Sequence, residues 1–317
     1  MENPESAPIL FEPIFQERVW GGRRLESAFG KKIPPGKSIG ESWEIVDRAE
    51  AQSVVRQGHW CGRTLHQLWS EHRREIFGDD VPDTPRFPLL AKLLDAREKL
   101  SLQVHPSAEV AADLGGEPKT EAWYVAAADP GAELLFGLRC GTKRNDFADA
   151  LRKGAVADLV HRLTIKTGET IFVPSGRLHA IGPGILIVEI QQNSDTTYRV
   201  FDWNRRDRDG RERELHLEQG MKSIAFDDFE PGVVRPEGEL LVRCPEFTLE
   251  KWDLTAPRPA LDRRGGALFF CLTGALEMAS VQLRPGDFFL APASAGDTPL
   301  APLARFTTLL RVLLPTR

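Results

Sequence analysis

The chain has 317 residues, 41% of them hydrophobic, which is enough to bury one large core or two moderate ones in a globular protein. Its formal net charge of -5 argues against a nucleic-acid footprint, and no run of about 18 apolar residues is present to span a bilayer. Cys61, Cys140, Cys244 and Cys271 lie far apart without CxxC spacing, which indicates neither a cysteine zinc site nor a disulfide framework.

The opening segment, Met1 to Pro13, carries acids and prolines but no basic start and no apolar stretch of the secretory type, so a cytoplasmic setting is expected. Beyond it, short apolar runs alternate and are broken by Gly and Pro. That pattern predicts a mainly β chain of sandwiches or barrels, with helices as insertions. The clearest helix is predicted over 64–77, where Leu65, Leu68, Trp69, Ile76 and Phe77 share a face, Thr64 caps the start and Gly78 follows the end. Further helices are expected at 107–114, at 145–163 with a break near Gly154, and at 217–224. The loop holding Arg205, Arg206, Arg208, Arg211 and Arg213 interleaves its arginines with Asp207, Asp209, Glu212 and Glu214, and reads as a solvated turn.

A weak internal repeat joins Gly168-Glu-Thr-Ile-Phe-Val-Pro174 to Gly286-Asp-Phe-Phe-Leu-Ala-Pro292. Two barrels of related build would explain it, one keeping metal ligands and one serving structure. The polar stretch from Asp227 to Glu239, with Pro231, Gly232, Pro236 and Gly238, is the expected boundary. It divides a metal-binding catalytic unit over 1–230 from a metal-free unit over 236–317.

The first copy continues Pro174-Ser-Gly-Arg-Leu-His179 and presents a histidine just past a turn. Upstream, Gln103-Val-His105 and Glu121-Ala-Trp-Tyr-Val125 sit on strand-like segments, where alternate side chains share a face. Two imidazoles, one carboxylate and one amide can therefore converge within a barrel, a donor set that suits zinc and would also admit manganese, iron or cobalt. Each alone has a plainer reading: a hydrogen-bonded loop histidine, an edge-strand glutamate, a polar tooth on a half-exposed strand.

At these residues the chain resembles the class I mannose-6-phosphate isomerases (phosphomannose isomerases), in their short bacterial form built from cupin, or jelly-roll, barrels. The resemblance runs almost end to end. It rests on Pro13-Ile-Phe-Gln-Glu-Arg-Val-Trp-Gly-Gly22, Gly40-Glu-Ser-Trp-Glu-Ile45, Arg86-Phe-Pro-Leu-Leu-Ala-Lys-Leu-Leu-Asp95, Gln103-Val-His-Pro106 and Lys119-Thr-Glu-Ala-Trp-Tyr124. The most specific stretches are Val173-Pro-Ser-Gly-Arg-Leu-His-Ala180 and Val188-Glu-Ile-Gln-Gln-Asn-Ser-Asp-Thr-Thr-Tyr-Arg199. The longer family members carry histidine just before the Lys-x-Glu motif. This chain has Pro118 there, so a proton-relay role for that histidine does not transfer.

The resemblance implies one zinc per chain on His105, Glu121 and His179, with Gln103 as fourth ligand. It implies interconversion of mannose 6-phosphate and fructose 6-phosphate through a cis-enediol, with a Lewis acid stabilising the developing charge and a base moving a proton between C2 and C1. It places Lys119, Glu189, Asp195 and Arg199 in the active site: Lys119 or Asp195 as proton-transfer groups, Glu189 as a positioning or base residue, Arg199 as the electrostatic clamp. Glu189 and Gln191 share a face by period two. Because the overall charge would repel a dianion, phosphate contact is expected from Lys92, Lys119 and Arg199, with Ser42 and Ser175 as hydroxyl partners. Trp20, Trp43 and Trp123 could line a sugar pocket, but aromatic residues at such spacings are more often core, and they are left out of the catalytic set. A small-molecule sugar phosphate is the expected partner, and no protein partner is indicated. The competing readings are an isomerase of a related sugar, and a sugar- or metal-binding regulatory cupin without catalysis.

Overall fold

The computed structural model describes residues 4–206, 210–261 and 265–315. It is mainly β, as the alternation of short apolar runs requires. One antiparallel sheet of six strands runs, edge to edge, Thr170–Val173, Glu121–Ala128, Ile185–Gln192, Leu89–Ala96, Ile39–Ile45 and Ile14–Gly22. A five-stranded sheet, Val160–Thr164, Glu133–Leu138, His179–Ile181, Leu102–Val104 and Tyr198–Phe201, faces it. Apolar side chains from both, among them Leu94, Trp123, Phe136 and Ile187, fill one end of the space between. The candidate site takes the rest.

The outer face of the six-stranded sheet is equally apolar. Leu93, Ala122, Tyr124, Val188 and Ile190 pack through Trp69, Phe77 and their neighbours against Leu249, Phe270, Leu310 and Val312 of a second six-stranded sheet near the C-terminus. Leu89–Ala96 is consequently buried along its whole length, which is why it reads as a continuous apolar run interrupted only by Lys92 and Asp95. The second sheet has a four-stranded companion, and their interior holds Trp252, Phe269, Phe289 and Leu309. The strand Ile9–Leu10 crosses to pair with Phe288–Ala291 of that sheet, so the chain's two ends are laced together.

The repeat seen in the sequence corresponds to one local structure used twice. Gly168 and Gly286 both take positive φ, +91° and +93°. Each donates its N–H back to the strand that the following segment will pair with, to Val125 O and Cys271 O respectively. A side chain at Gly286 would collide with Phe29 O at 2.4 Å.

The helix expected over 64–77 is two helices, Leu65–Glu71 and Arg73–Phe77, broken at His72. Thr64 does cap it, in a full capping box with Gln67. Ser107 caps Ala108–Leu114 and the helix near 217 is Leu217–Ser223. The prediction over 145–163 fails in its second half. The helix Arg144–Arg152 ends before Gly154, which takes φ +69°, and Val160–Thr164 is a strand on the open edge of Glu133–Leu138. There, ladder hydrogen bonds and the β-branched Val160 and Thr164 outweigh helical spacing.

Candidate active site

Register on five strands of the two sheets places the donors and their neighbours. His179 stands opposite Gln103, Glu121 opposite Gln191, and Glu189 opposite Lys92 on one side and Trp123 on the other. The turn before His179 is fixed from several directions. Gly176 takes φ +89° and donates to His105 O, which ties one histidine's turn to the other histidine's backbone. Arg177 grips Asp228 through two hydrogen bonds and donates to Phe172 O.

His105, Glu121 and His179 offer ligand atoms that all lie within 4.8 Å of one another. Both rings have a settled tautomer. Nδ1 of His105 is 2.9 Å from Thr196 O and Nδ1 of His179 is 3.0 Å from Arg177 O. A carbonyl only accepts, so each Nδ1 carries the proton and each Nε2 turns a bare lone pair inward. Glu121 Oε1 is 3.7 Å from Nε2 of His105 and 3.5 Å from Nε2 of His179. The Thr196 carbonyl belongs to the Asn193-Ser-Asp-Thr-Thr segment, so that motif holds His105 in place. Asn193 itself bridges to Asp47 O and Phe87 O.

The electrostatics suit a cation. Burial lowers the basicity of both imidazoles, that of His179 to a pKa of about 3, which leaves them neutral and available as ligands. Glu121 is fully buried yet sits well below the usual carboxylate range: burial raises it, but Lys119 and the histidines outweigh that. The Lys119 ammonium lies 2.8 Å from Glu121 Oε2 and 3.3 Å from His105 Nε2, taking the place of a positive charge in the cluster. Gln103 Nε2 lies 3.3 Å from His179 Nε2, so a turn of the amide would bring its oxygen to the same point. Two neutral imidazoles with tethered outer nitrogens, a carboxylate and an adjacent amide are the donor set of a divalent metal.

The cluster borders, through Glu121, a cavity of about 440 Å³. Lys92, Gln103, Lys119, Glu121, Glu189, Asp195 and Arg199 all line it. Glu189 is buried, with one oxygen lacking a hydrogen bond, and burial with the nearby Glu121 charge pushes its pKa up to about 8 against the pull of Lys92 and Lys119. Lys92 lies between two acids, 3.7 Å from Glu41 Oε2 and 3.5 Å from Glu189 Oε1.

Several expected residues fall elsewhere. Ser42 is buried off the cavity and donates to Glu44 Oε1, which Lys31 neutralises. Ser175 shares a hydrogen bond with Thr120, also off the cavity. Gln191 points into the turn after its strand and donates to Gln192 O and Ser194 O. Trp20 and Trp123 line the cavity, and Trp43 supports it by donating to Glu41 Oε2 at 2.7 Å.

Four charged residues join the cavity that sequence reasoning left out: Glu17, Arg18, Glu41 and Arg213. Arg18 and Glu41 sit on strands where an interior charge was the available signal. Arg213 gave none, because its loop reads as alternating solvated charge; Asp207, Arg208 and Asp209 of that loop lie outside the described residues. Arg213 takes Asp202 in a two-pronged ion pair. Arg199 donates to Glu214 O.

Residues 9–132 match the family model described as phosphomannose isomerase type I, catalytic domain. The chain is 38% identical over 303 residues to mannose-6-phosphate isomerase ManA of Bacillus subtilis (strain 168), covering 92% of this chain and 94% of that one. The solved structure of the mannose 6-phosphate isomerase from Bacillus subtilis superposes with a TM-score of 0.85 at 34% identity, over 96% of this chain and 99% of that one. A solved mannose 6-phosphate isomerase bound with zinc and yttrium shares the fold at 14% identity, with a TM-score of 0.74 over 97% of this chain and 99% of that one.

Proposed function

This chain belongs to the phosphomannose isomerase type I family, and from that premise we infer that its cavity interconverts mannose 6-phosphate and fructose 6-phosphate. The activity is that of an aldose-ketose isomerase with a sugar phosphate as substrate. The observation that carries the chemical reading is the pair of Nδ1-tethered histidines whose Nε2 lone pairs face Glu121, itself a wall residue of a hexose-sized cavity.

Zinc held by His105, Glu121 and His179, with the Gln103 amide oxygen as a fourth donor, would supply a Lewis acid that polarises the sugar oxygens and offsets charge on the enediolate. The same donors would accept other divalent metals. The chain's own residues do the rest. Lys119, Glu189 and Asp195 line the cavity around the cluster and are the groups that take a proton from one sugar carbon and return it to the other. Glu189, 3.6 Å from Lys119, holds a carboxyl whose raised pKa suits it to exchange a proton near neutral pH. Arg199 places a fixed fork of donors where negative charge arrives. Trp20 and Trp123 supply buried apolar wall to the cavity.

We assign catalysis to a unit over 1–230 and a supporting role to 236–317. In its favour, the metal-type cluster found among the described residues lies wholly in the first span. None of the described helices is long and apolar enough to cross a membrane, which is compatible with work in the cytoplasm. The test is turnover of mannose 6-phosphate in deuterated water. Fructose 6-phosphate carrying solvent deuterium at C1 supports proton transfer through an enediol; no conversion by folded, zinc-loaded protein overturns the reading.

A further inference from the structure

We propose that Arg18 and Arg213, together with Arg199, form the seat for the substrate's phosphate at the solvent end of the cavity. The inference rests on the mannose 6-phosphate reading and adds two residues that neither the motifs nor the comparisons assign.

The cavity is graded. Glu121 and Lys119, which line its closed end beside the histidines, are 1% and 5% exposed, whereas the side chains of Arg18 and Arg213 are 31% and 23% exposed. A hexose phosphate with C1 and C2 at the Glu121 end would therefore extend its remote phosphate toward the arginines.

Each of these guanidinium groups is held by one edge and open at another. Arg18 uses Nε and Nη2 on the two oxygens of Glu41, at 3.1 and 3.3 Å, which leaves Nη1. Arg213 uses the same two nitrogens on Asp202, at 2.7 and 2.6 Å, and also leaves Nη1. Arg199 spends Nη1 on Glu214 O at 2.9 Å, and its Nε is buried without a hydrogen-bond partner. The carboxylates fix the orientation of the first two forks, so little side-chain freedom is lost when an anion arrives.

The three sense one another. Burial lowers the basicity of Arg199, and the charges of Arg213 and Arg18 lower it further. A dianion would relieve that repulsion. Asp195 and Glu17 also line the cavity, so the cationic end is not free of acids, and Lys37 neutralises Glu17. The other candidates are committed elsewhere: Lys92 between Glu41 and Glu189, Ser42 to Glu44, Ser175 to Thr120.

The experiment compares Arg18→Gln and Arg213→Gln with the wild-type zinc enzyme, using mannose 6-phosphate and unphosphorylated mannose as alternative substrates and matched zinc content as the control. The proposal expects KM for mannose 6-phosphate to rise about tenfold in each variant with a smaller change in kcat, and preference for the phosphorylated sugar to collapse. Inorganic phosphate should compete with mannose 6-phosphate in the wild type, and more weakly in both variants. Unchanged KM, an equal loss on both sugars, or absence of phosphate competition in the wild type overturns the proposal; the last measurement needs no variant to fold. If the wild type fails to convert mannose 6-phosphate at all, the isomerase reading falls rather than the phosphate seat alone.

Discussion

His105 and His179 stand with ring centroids 5.0 Å apart, each donating Nδ1–H to a backbone carbonyl and each turning Nε2 toward Glu121. Neither carbonyl depends on a side chain, so the orientation is written into the turns that carry Thr196 and Arg177. Replacing either imidazole should remove the metal rather than merely loosen the pocket. His179→Ala is expected to lose bound zinc, measured by elemental analysis after gel filtration, with activity falling alongside. A fully metallated, active variant would contradict the ligand set.

Gln103 tests the fourth position separately. Its amide reaches His179 Nε2 at 3.3 Å and also accepts from Ser101. Gln103→Ala should weaken zinc affinity by about 10–100-fold, the range seen when a supporting or weak ligand is lost. Competition against a chelator of known affinity measures this, and an unchanged constant would leave the cluster with three protein ligands.

Arg199 has a buried, unpartnered Nε at the cavity wall. Arg199→Ala should lower kcat/KM for mannose 6-phosphate by at least roughly tenfold, since a lost charge-stabilising donor typically costs more than that. Zinc content should be unaffected. Wild-type turnover in the variant would remove Arg199 from the mechanism.

Glu41 links stability to pH. Burial pushes its carboxyl up, but Lys92 and Arg18 outweigh this and hold its pKa at about 2, against an ordinary 4.5. A depressed carboxylate contributes stability that is present above the unfolded pKa and is lost as pH falls through the folded one. At about 1.4 kcal/mol per pKa unit, the contribution is on the order of 3 kcal/mol, fading between about pH 4.5 and 2. Urea denaturation of wild type and Glu41→Gln should show a stability gap that narrows on acidification across that window. A gap independent of pH would mean that the Arg18–Glu41–Lys92 chain does not hold the ionised form.

Much of this arrangement was legible in the residues. Strand alternation put Gln103 and His105 on one face, and the Pro174-Ser-Gly176 turn announced His179. The repeated Gly-x5-Pro signalled the paired turns at Gly168 and Gly286. What the sequence hid has a common cause. Val160–Thr164 became a strand because a distant edge needed a partner, which local spacing does not encode. Local sequence offers Ser42 and Ser175 as hydroxyl partners for phosphate, but tertiary partners, Glu44 and Thr120, engage them. Arg213 looked like one solvated charge among many until Asp202, on the strand side of the loop, pulled it into the cavity. Each depends on a contact between segments remote in the chain.

The central claim is tested most directly by the rate of interconversion of mannose 6-phosphate and fructose 6-phosphate, followed before chelation, after it, and after zinc is restored. The account predicts activity that is lost and then regained. Activity that survives complete metal removal, or folded and zinc-loaded protein that never converts either sugar phosphate, would contradict it.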